Sequence, residues 1–264
     1  GCSGRTGELD LSKVKTISGT AFQGCSGLSG ELNLSGVTSI EYGAFKDCSG
    51  LTSLVWSSAI TEVPDDIFAG CTGFTGMLDL TGVTSVGNNA FKDCGGFTEC
   101  IIPDIWHIGN SAFENCSGFT GSLDLTKIRT IGTSAFAGCT GFNGRLYING
   151  ATANRTIVSA NAFKGCSGFT SLRLANVTEV QESAFEGCTG FTGSLTLEGI
   201  DTIGNNAFKD CTGFTGTLTL DGAKQMGTGV FSGCTGFTDL VLKNMEEIPA
   251  SIVENCTGFT GTLT

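Results

Sequence analysis

Histidine is all but missing from this 264-residue chain: His107 is the only one. A metal site or catalytic triad built on imidazole therefore has no second member to recruit. Charge is scarce too, at 15% of residues, and 14 lysines and arginines face 25 aspartates and glutamates. The net charge of −11 argues against nucleic acid as a partner, because phosphate binding needs a basic stripe that displaces counterions. No run of 18 apolar residues occurs, so no segment reads as a membrane-spanning helix. No signal-peptide pattern opens the chain. It begins on Gly1-Cys2 and stops in mid-repeat on Thr262-Leu263-Thr264, and so reads as an excerpt of a longer protein. Gly-x-Ser-x-Gly, the P-loop and the dinucleotide fingerprint are missing as well. Carboxylates are plentiful, but nothing in the pattern pairs them in a cleft. No catalytic residue, metal ligand or cofactor is assigned, and the chain is not expected to be an enzyme.

What the chain does have is a beat. Twelve of its 13 cysteines are Cys2, Cys25, Cys48, Cys71, Cys94, Cys116, Cys139, Cys166, Cys188, Cys211, Cys234 and Cys256. Their steps are 23, 23, 23, 23, 22, 23, 27, 22, 23, 23 and 22 residues. A fixed period in the twenties marks a solenoid of stacked coils. The expectation is one quasi-linear domain over residues 1–264, built of about eleven coils. Twelve cysteines at one slot of the coil read as a column of buried free thiols, each a small hydrophobe. Stacked coils about 4.8 Å apart would hold their side chains parallel, which is poor geometry for a disulfide. The thirteenth, Cys100, stands where sister repeats place Leu78 and Leu123.

The coil from Cys211 to Gly233, CTGFTGTLTLDGAKQMGTGVFSG, shows the local grammar. Glycine stands two places after every one of the twelve cysteines, from Gly4 to Gly258, as if ending a helical turn in a left-handed residue. Asn89, Ser111, Ser134, Asn161, Ser183, Asn206 and Ser251 stand just before Ala-Phe or its equivalent, where side-chain oxygens could cap free amides. Ala-Phe-x-x-Cys thus predicts one turn of α- or 3₁₀-helix. After the glycine, Leu218-Thr219-Leu220, Leu195-Thr196-Leu197 and Leu123-Asp124-Leu125 alternate, which predicts a strand with its leucines inward. A second extended stretch follows, as in Ile128-Arg129-Thr130-Ile131. Stacking should align phenylalanines in columns through Phe22, Phe45, Phe68, Phe91 and onward.

The succession Cys188, Phe191, Leu195, Leu197, Ile200, Ile203, Gly204, Ala207, Phe208, Cys211 closely resembles the Treponema pallidum-type, BspA-like leucine-rich repeats. The resemblance covers essentially the whole chain. It implies a β-rich repeat solenoid: a right-handed curved superhelix with a parallel β-sheet along one face and short helical or 3₁₀ turns. Members of that family are typically surface or secreted proteins of host-associated microbes, implicated in adhesion and coaggregation. By analogy, the resemblance implies a non-enzymatic, extracellular or cell-surface module for adhesion or protein–protein contact. Its partner would be a protein or glycan ligand on a host or neighbouring cell. The alternative is structural: a spacer, a stalk, or a solenoid that self-associates end to end.

Departures from the pattern locate candidates. The coil from Cys139 to Gly165 is the longest, with an insertion near Gly150-Ala151-Thr152-Ala153-Asn154-Arg155, and such insertions bulge from one face and often serve binding. The coils starting at Cys48, Cys94, Cys166 and Cys234 lack the extra glycine that precedes the strand in their neighbours, at Gly76, Gly121, Gly193 and Gly216; they read as small kinks in packing. Arg5 takes an apolar slot, marking a solvated edge or a fragment boundary. Among outward positions the early half is acidic, the middle carries Arg145, Tyr147 and Arg173, and the later half is rich in serine and threonine. Tyrosine and arginine are the types that most often anchor interfaces. Arg145, Tyr147, Arg155 and Arg173 are therefore the expected contact patch, with ordinary solvated sheet surface as the alternative. Trp106 should point outward as a further contact candidate, whereas Trp56 falls at an inward leucine slot.

Overall fold

The computed structural model describes residues 6–151, 155–245 and 247–261; Cys2, Gly4, Arg5 and the centre of the insertion lie outside them. Alternating leucines fold as expected, because period-two burial needs an extended backbone with one face on the core. The leucine strands are β2 (Gly30–Asn33), β4 (Leu51–Val55), β6 (Gly76–Asp79), β8 (Phe97–Ile101), β10 (Leu123–Ile128), β12 (Arg145–Gly150), β14 (Ser171–Ala175), β16 (Leu195–Glu198), β18 (Gly216–Asp221) and β20 (Phe237–Lys243). Between them run the short aliphatic strands β1 (Thr16–Ile17), β3 (Ser39–Ile40), β5 (Glu62–Val63), β7 (Ser85–Val86), β9 (His107–Ile108), β11 (Thr130–Ile131), β13 (Thr156–Val158), β15 (Val177–Val180), β17 (Thr202–Ile203) and β19 (Gln225–Met226). Every pairing is parallel and joins a strand to its counterpart one coil away, as Leu195 opposite Leu218 and Ile203 opposite Met226.

The two ladders differ in continuity. From β5 to β19 the aliphatic ladder is one unbroken sheet, whereas the leucine ladder is cut into β2-β4, β6-β8, β10-β12-β14 and β16-β18-β20. The strands at which forward pairing stops, β4, β8 and β14, belong to the coils starting at Cys48, Cys94 and Cys166, three of those that lack the extra glycine. Without it the strand starts one place early: Leu54 lies six residues after its cysteine, and Leu32 and Leu78 lie seven after theirs. Such a strand still pairs backward: β4 and β8 do so through register shifts at Gly30/Glu31 and Gly76/Met77, and β14 pairs with β12 in continuous register. It does not pair forward. Leu54, Cys100, Leu172 and Leu174 are consequently only partly buried, while Leu32, Leu78, Leu146 and Leu218 are fully enclosed. The kinks read from the sequence are these breaks.

Ala-Phe-x-x-Cys is not a helix. In the coil ending at Cys188, the amides of Ala184, Glu186 and Cys188 donate to the carbonyls three residues back, on Gln181, Ser183 and Phe185. The intervening amides of Ser183, Phe185 and Gly187 donate instead to Asn205, Ala207 and Lys209 of the next coil, at 2.8–2.9 Å. A helix needs every amide for itself; here every second one ties coil to coil, so the segment is a run of stacked turns. The residues expected as caps occupy the left-handed region instead, with φ of 52–58° at Ser111, Ser134, Asn161, Ser183, Asn206 and Ser251. Asparagine and serine recur there because a short polar side chain tolerates that conformation. The hydroxyls of Ser111 and Ser183 bond the carboxylates of Glu114 and Glu186.

The glycines two places after cysteine also have a different role from the expected one. Among the described residues none of them has positive φ. A Cβ on Gly50, Gly73, Gly141 or Gly190 would lie under 3.0 Å from two main-chain carbonyl oxygens of the preceding coil. Glycine is required by close approach of one coil to the next. The left-handed residue is the one just before cysteine: Gly24, Asp47, Gly70, Asp93, Asn115 and their successors.

Inside, the Ala-Phe phenylalanines stack coil on coil, with ring centroids 5.1 Å apart for Phe22–Phe45 and 5.3 Å for Phe136–Phe163. A second column runs from Phe74 to Phe259, and edge contacts such as Phe68–Phe74 and Phe185–Phe191 lock the two together. Offset and edge-on rings add about 0.5–1.5 kcal/mol per pair beyond their area burial. Beside them runs the column of thiols, and ten of the described cysteines are buried. From Cys48 to Cys256, each thiol of the column donates to the carbonyl of the Ala-Phe phenylalanine (or its equivalent) one coil earlier, as Cys71 to Phe45 and Cys211 to Phe185, both at 3.0 Å. Cysteine thus fills a core slot and gives a second donor to a phenylalanine carbonyl that already accepts the cysteine amide of its own coil.

Candidate binding face

The outward side of β12 and β14 carries the most distinctive side chains of the leucine ladder. Register places Tyr147 opposite Arg173 on one side and Asp124 on the other. Because outward residues of parallel neighbours stand side by side, Tyr147 is flanked by two guanidinium groups, from Arg145 at 5.2 Å and Arg173 at 5.3 Å from its ring centroid. Both distances are within cation–π range. Arg145 also lies 3.4 Å from the Asp124 carboxylate, each side chain about half exposed, a pair worth roughly 0–1 kcal/mol. Arg173 has no carboxylate partner among the described residues. The site is a rigid aromatic between two cations, one of them unspent, on a surface otherwise short of positive charge.

Two other expected contact residues lie apart. Arg155 precedes β13 of the aliphatic ladder and reaches Asp201 at 3.6 Å, where Lys224 joins at 2.7 Å. Hydrogen bonding and attraction from Lys224, then the Arg155 charge, hold the Asp201 carboxyl below its ordinary range. Trp106 precedes β9, points outward at 46% exposure, and carries the Arg129 guanidinium 4.9 Å over its ring. Sequence reading missed Arg129, although it lies one 23-residue step after Trp106. His107 meets the Thr130 hydroxyl one coil on. Among the described residues no three His, Cys, Asp or Glu side chains converge as a metal site, and no helix is long and apolar enough to cross a membrane. Trp56 is half buried, donating to the Ile60 carbonyl at 3.0 Å and edge-on to Phe68.

The breaks in the leucine ladder open clefts. One of about 720 Å³ lies between β14 and β16 and is lined by Leu172, Arg173, Leu174, Thr196 and Glu198 among others. A smaller one of about 440 Å³ lies at the break between β4 and β6, by Trp56 and Met77. The cleft between β14 and β16 adjoins the Arg–Tyr–Arg cluster through Arg173.

Six copies of the family model for the BspA-type leucine-rich repeat region match residues 6–120 and 156–261. The chain belongs to that family. The matches to this BspA-type protein leave out residues 121–155, the stretch that holds Arg145, Tyr147 and the insertion. Among solved structures it is similar to a leucine-rich repeat protein of Bacteroides ovatus, with a TM-score of 0.59 and 21% identity over 91% of this chain and 79% of that one. It is also similar to a leucine-rich cell surface protein of Faecalibacterium prausnitzii, with a TM-score of 0.50 and 22% identity over 94% of this chain and 70% of that one. At such identities the likeness is one of fold. No curated protein matches the sequence.

Proposed function

We propose that this BspA-type solenoid is a non-enzymatic adhesion module of the cell surface, and that it engages a protein ligand through Arg145, Tyr147 and Arg173. The observation that carries the reading is Tyr147 held between two guanidiniums on the outward face of a paired ladder. Its support comes from three directions. Arginine and tyrosine contribute most per residue to interfaces, because each combines a broad flat surface with directional donors. The net charge of −11 makes a local cationic cluster complementary to partners that the rest of the surface would repel. Arg145 and Tyr147 also fall within residues 121–155, which the family model leaves unmatched, and the Faecalibacterium neighbour is described as a cell surface protein.

The test is binding of fluorescent protein to intact epithelial and bacterial cells, comparing the native chain with Arg145→Glu/Arg173→Glu. Losing a desolvated arginine contact costs 2 kcal/mol or more at a hot spot, so roughly thirtyfold weaker binding is expected. Binding that is absent throughout, or unchanged in the double variant, would overturn the proposal.

A further inference from the structure

We infer that the cleft between β14 and β16 receives a short extended segment of a partner protein, apolar residues inward and an acidic residue outward. This deepens the proposed contact face and rests on it. The walls are two parallel strands whose pairing lapses. Inter-coil main-chain bonds hold at Thr192 to Thr170 and resume at Asp201 to Thr178, both at 2.9 Å. Between them no main-chain hydrogen bond joins residues 171–177 to residues 193–200. Donors and acceptors on both walls are therefore open to a third strand, as in β-strand addition. The gap is bounded at both ends, so it admits a segment of about four or five residues from the outward side, matching the five of β14 and four of β16. Its volume of about 720 Å³ is that of a ligand site, for which 300–1,000 Å³ is usual.

Side-chain chemistry fixes the occupant further. Inward, Leu172 and Leu174 are left part-exposed at slots that other coils bury, so alternate residues of the segment should be apolar. Outward, it would lie between Arg173 and Thr196, and Arg173 has no carboxylate partner among the described residues. The chain already shows the pairing once: Asp124 of β10 stands beside the Arg–Tyr strand with its carboxylate 3.4 Å from Arg145. Leu-Asp-Leu is the pattern that fits.

The probe is the acetylated, amidated hexapeptide Gly-Ser-Leu-Asp-Leu-Thr, followed by amide hydrogen exchange and chemical shifts of the isotope-labelled protein. In the free protein, amides of 171–177 and 195–198 that face the cleft should exchange faster than those of the β16–β18 pairing. The peptide should slow and shift these amides. N-methylation of both peptide leucines removes ladder donors and should weaken binding about tenfold or more, as should Arg173→Glu. Inserting a glycine before Ser171 restores the strand register, and should protect the wall amides and abolish binding. Wall amides already protected in the free protein, no response to the peptide, or equal binding of the N-methylated peptide would overturn the inference. Cell binding that depends on Arg145 and Arg173 while the peptide has no effect would sink only the strand reading, leaving the contact face intact.

Discussion

At the scale of the residue, cysteine and glycine carry the stack. Burial raises the thiols of Cys116, Cys139 and Cys188 well above the ordinary 9.0 and pushes that of Cys166 up to about 12. Below about pH 9 a thiol is protonated in folded and unfolded chains alike, so the column's contribution to stability is intact. Above it the unfolded chain sheds protons that the folded chain retains, and each buried thiol removes about 1.4 kcal/mol of stability per pH unit until its folded value is reached. The urea midpoint should therefore be insensitive to the thiols below about pH 9 and fall steeply beyond it; a flat profile through about pH 11 would mean that the thiols are not buried. Glycine is tested by a pair of variants. Gly190→Ala drives a Cβ into the Ser167 and Phe169 carbonyls, whereas Gly193→Ala enters open space at φ +80°. Left-handed alanine costs about 1–2 kcal/mol, and Gly190→Ala should cost distinctly more in thermal denaturation.

At the scale of the element, a single omitted glycine decides whether a strand pairs forward. Leu174 at the β14 edge is partly exposed, and Leu146 in β12 is fully buried. Leu146→Ala should cost about 2–5 kcal/mol and Leu174→Ala distinctly less, a difference that chemical denaturation resolves; equal costs would mean that β14 and β16 close over Leu174. Much of this level was legible beforehand. Leucine alternation gave the strands, and the missing glycines gave the positions of the breaks. The helical turn was misread because Ala-Phe-x-x-Cys satisfies i to i+3 bonding locally, and a sequence does not show that every second amide is claimed by the next coil. A better signal was present: the residue before each cysteine of the column is glycine, aspartate or asparagine from Gly24 to Asn255, the set that tolerates positive φ.

At the scale of the whole molecule, repetition converts each local choice into a column, in which each coil packs on its immediate neighbours. Phenylalanine and thiol columns were readable from the period alone. The candidate site was readable only in part. Tyr147 and Arg173 share a register position and Arg145 stands two places before Tyr147 on the same strand, so the three meet, whereas Arg155 follows an insertion that breaks the count and lands on the aliphatic ladder beside Asp201. Period predicts neighbours only where it is kept; Arg129 over Trp106 obeys it.

Alkylation of the native, unreduced protein, followed by denaturation and a second, mass-distinct alkylation, probes this stacking most directly. Cys25, Cys48, Cys71, Cys94, Cys116, Cys139, Cys166, Cys188, Cys211 and Cys234 should resist the first reagent and all accept the second. Rapid native labelling of these ten, or their failure to react after denaturation without reductant, would show thiols that are exposed or bridged, and the stacked column would not exist.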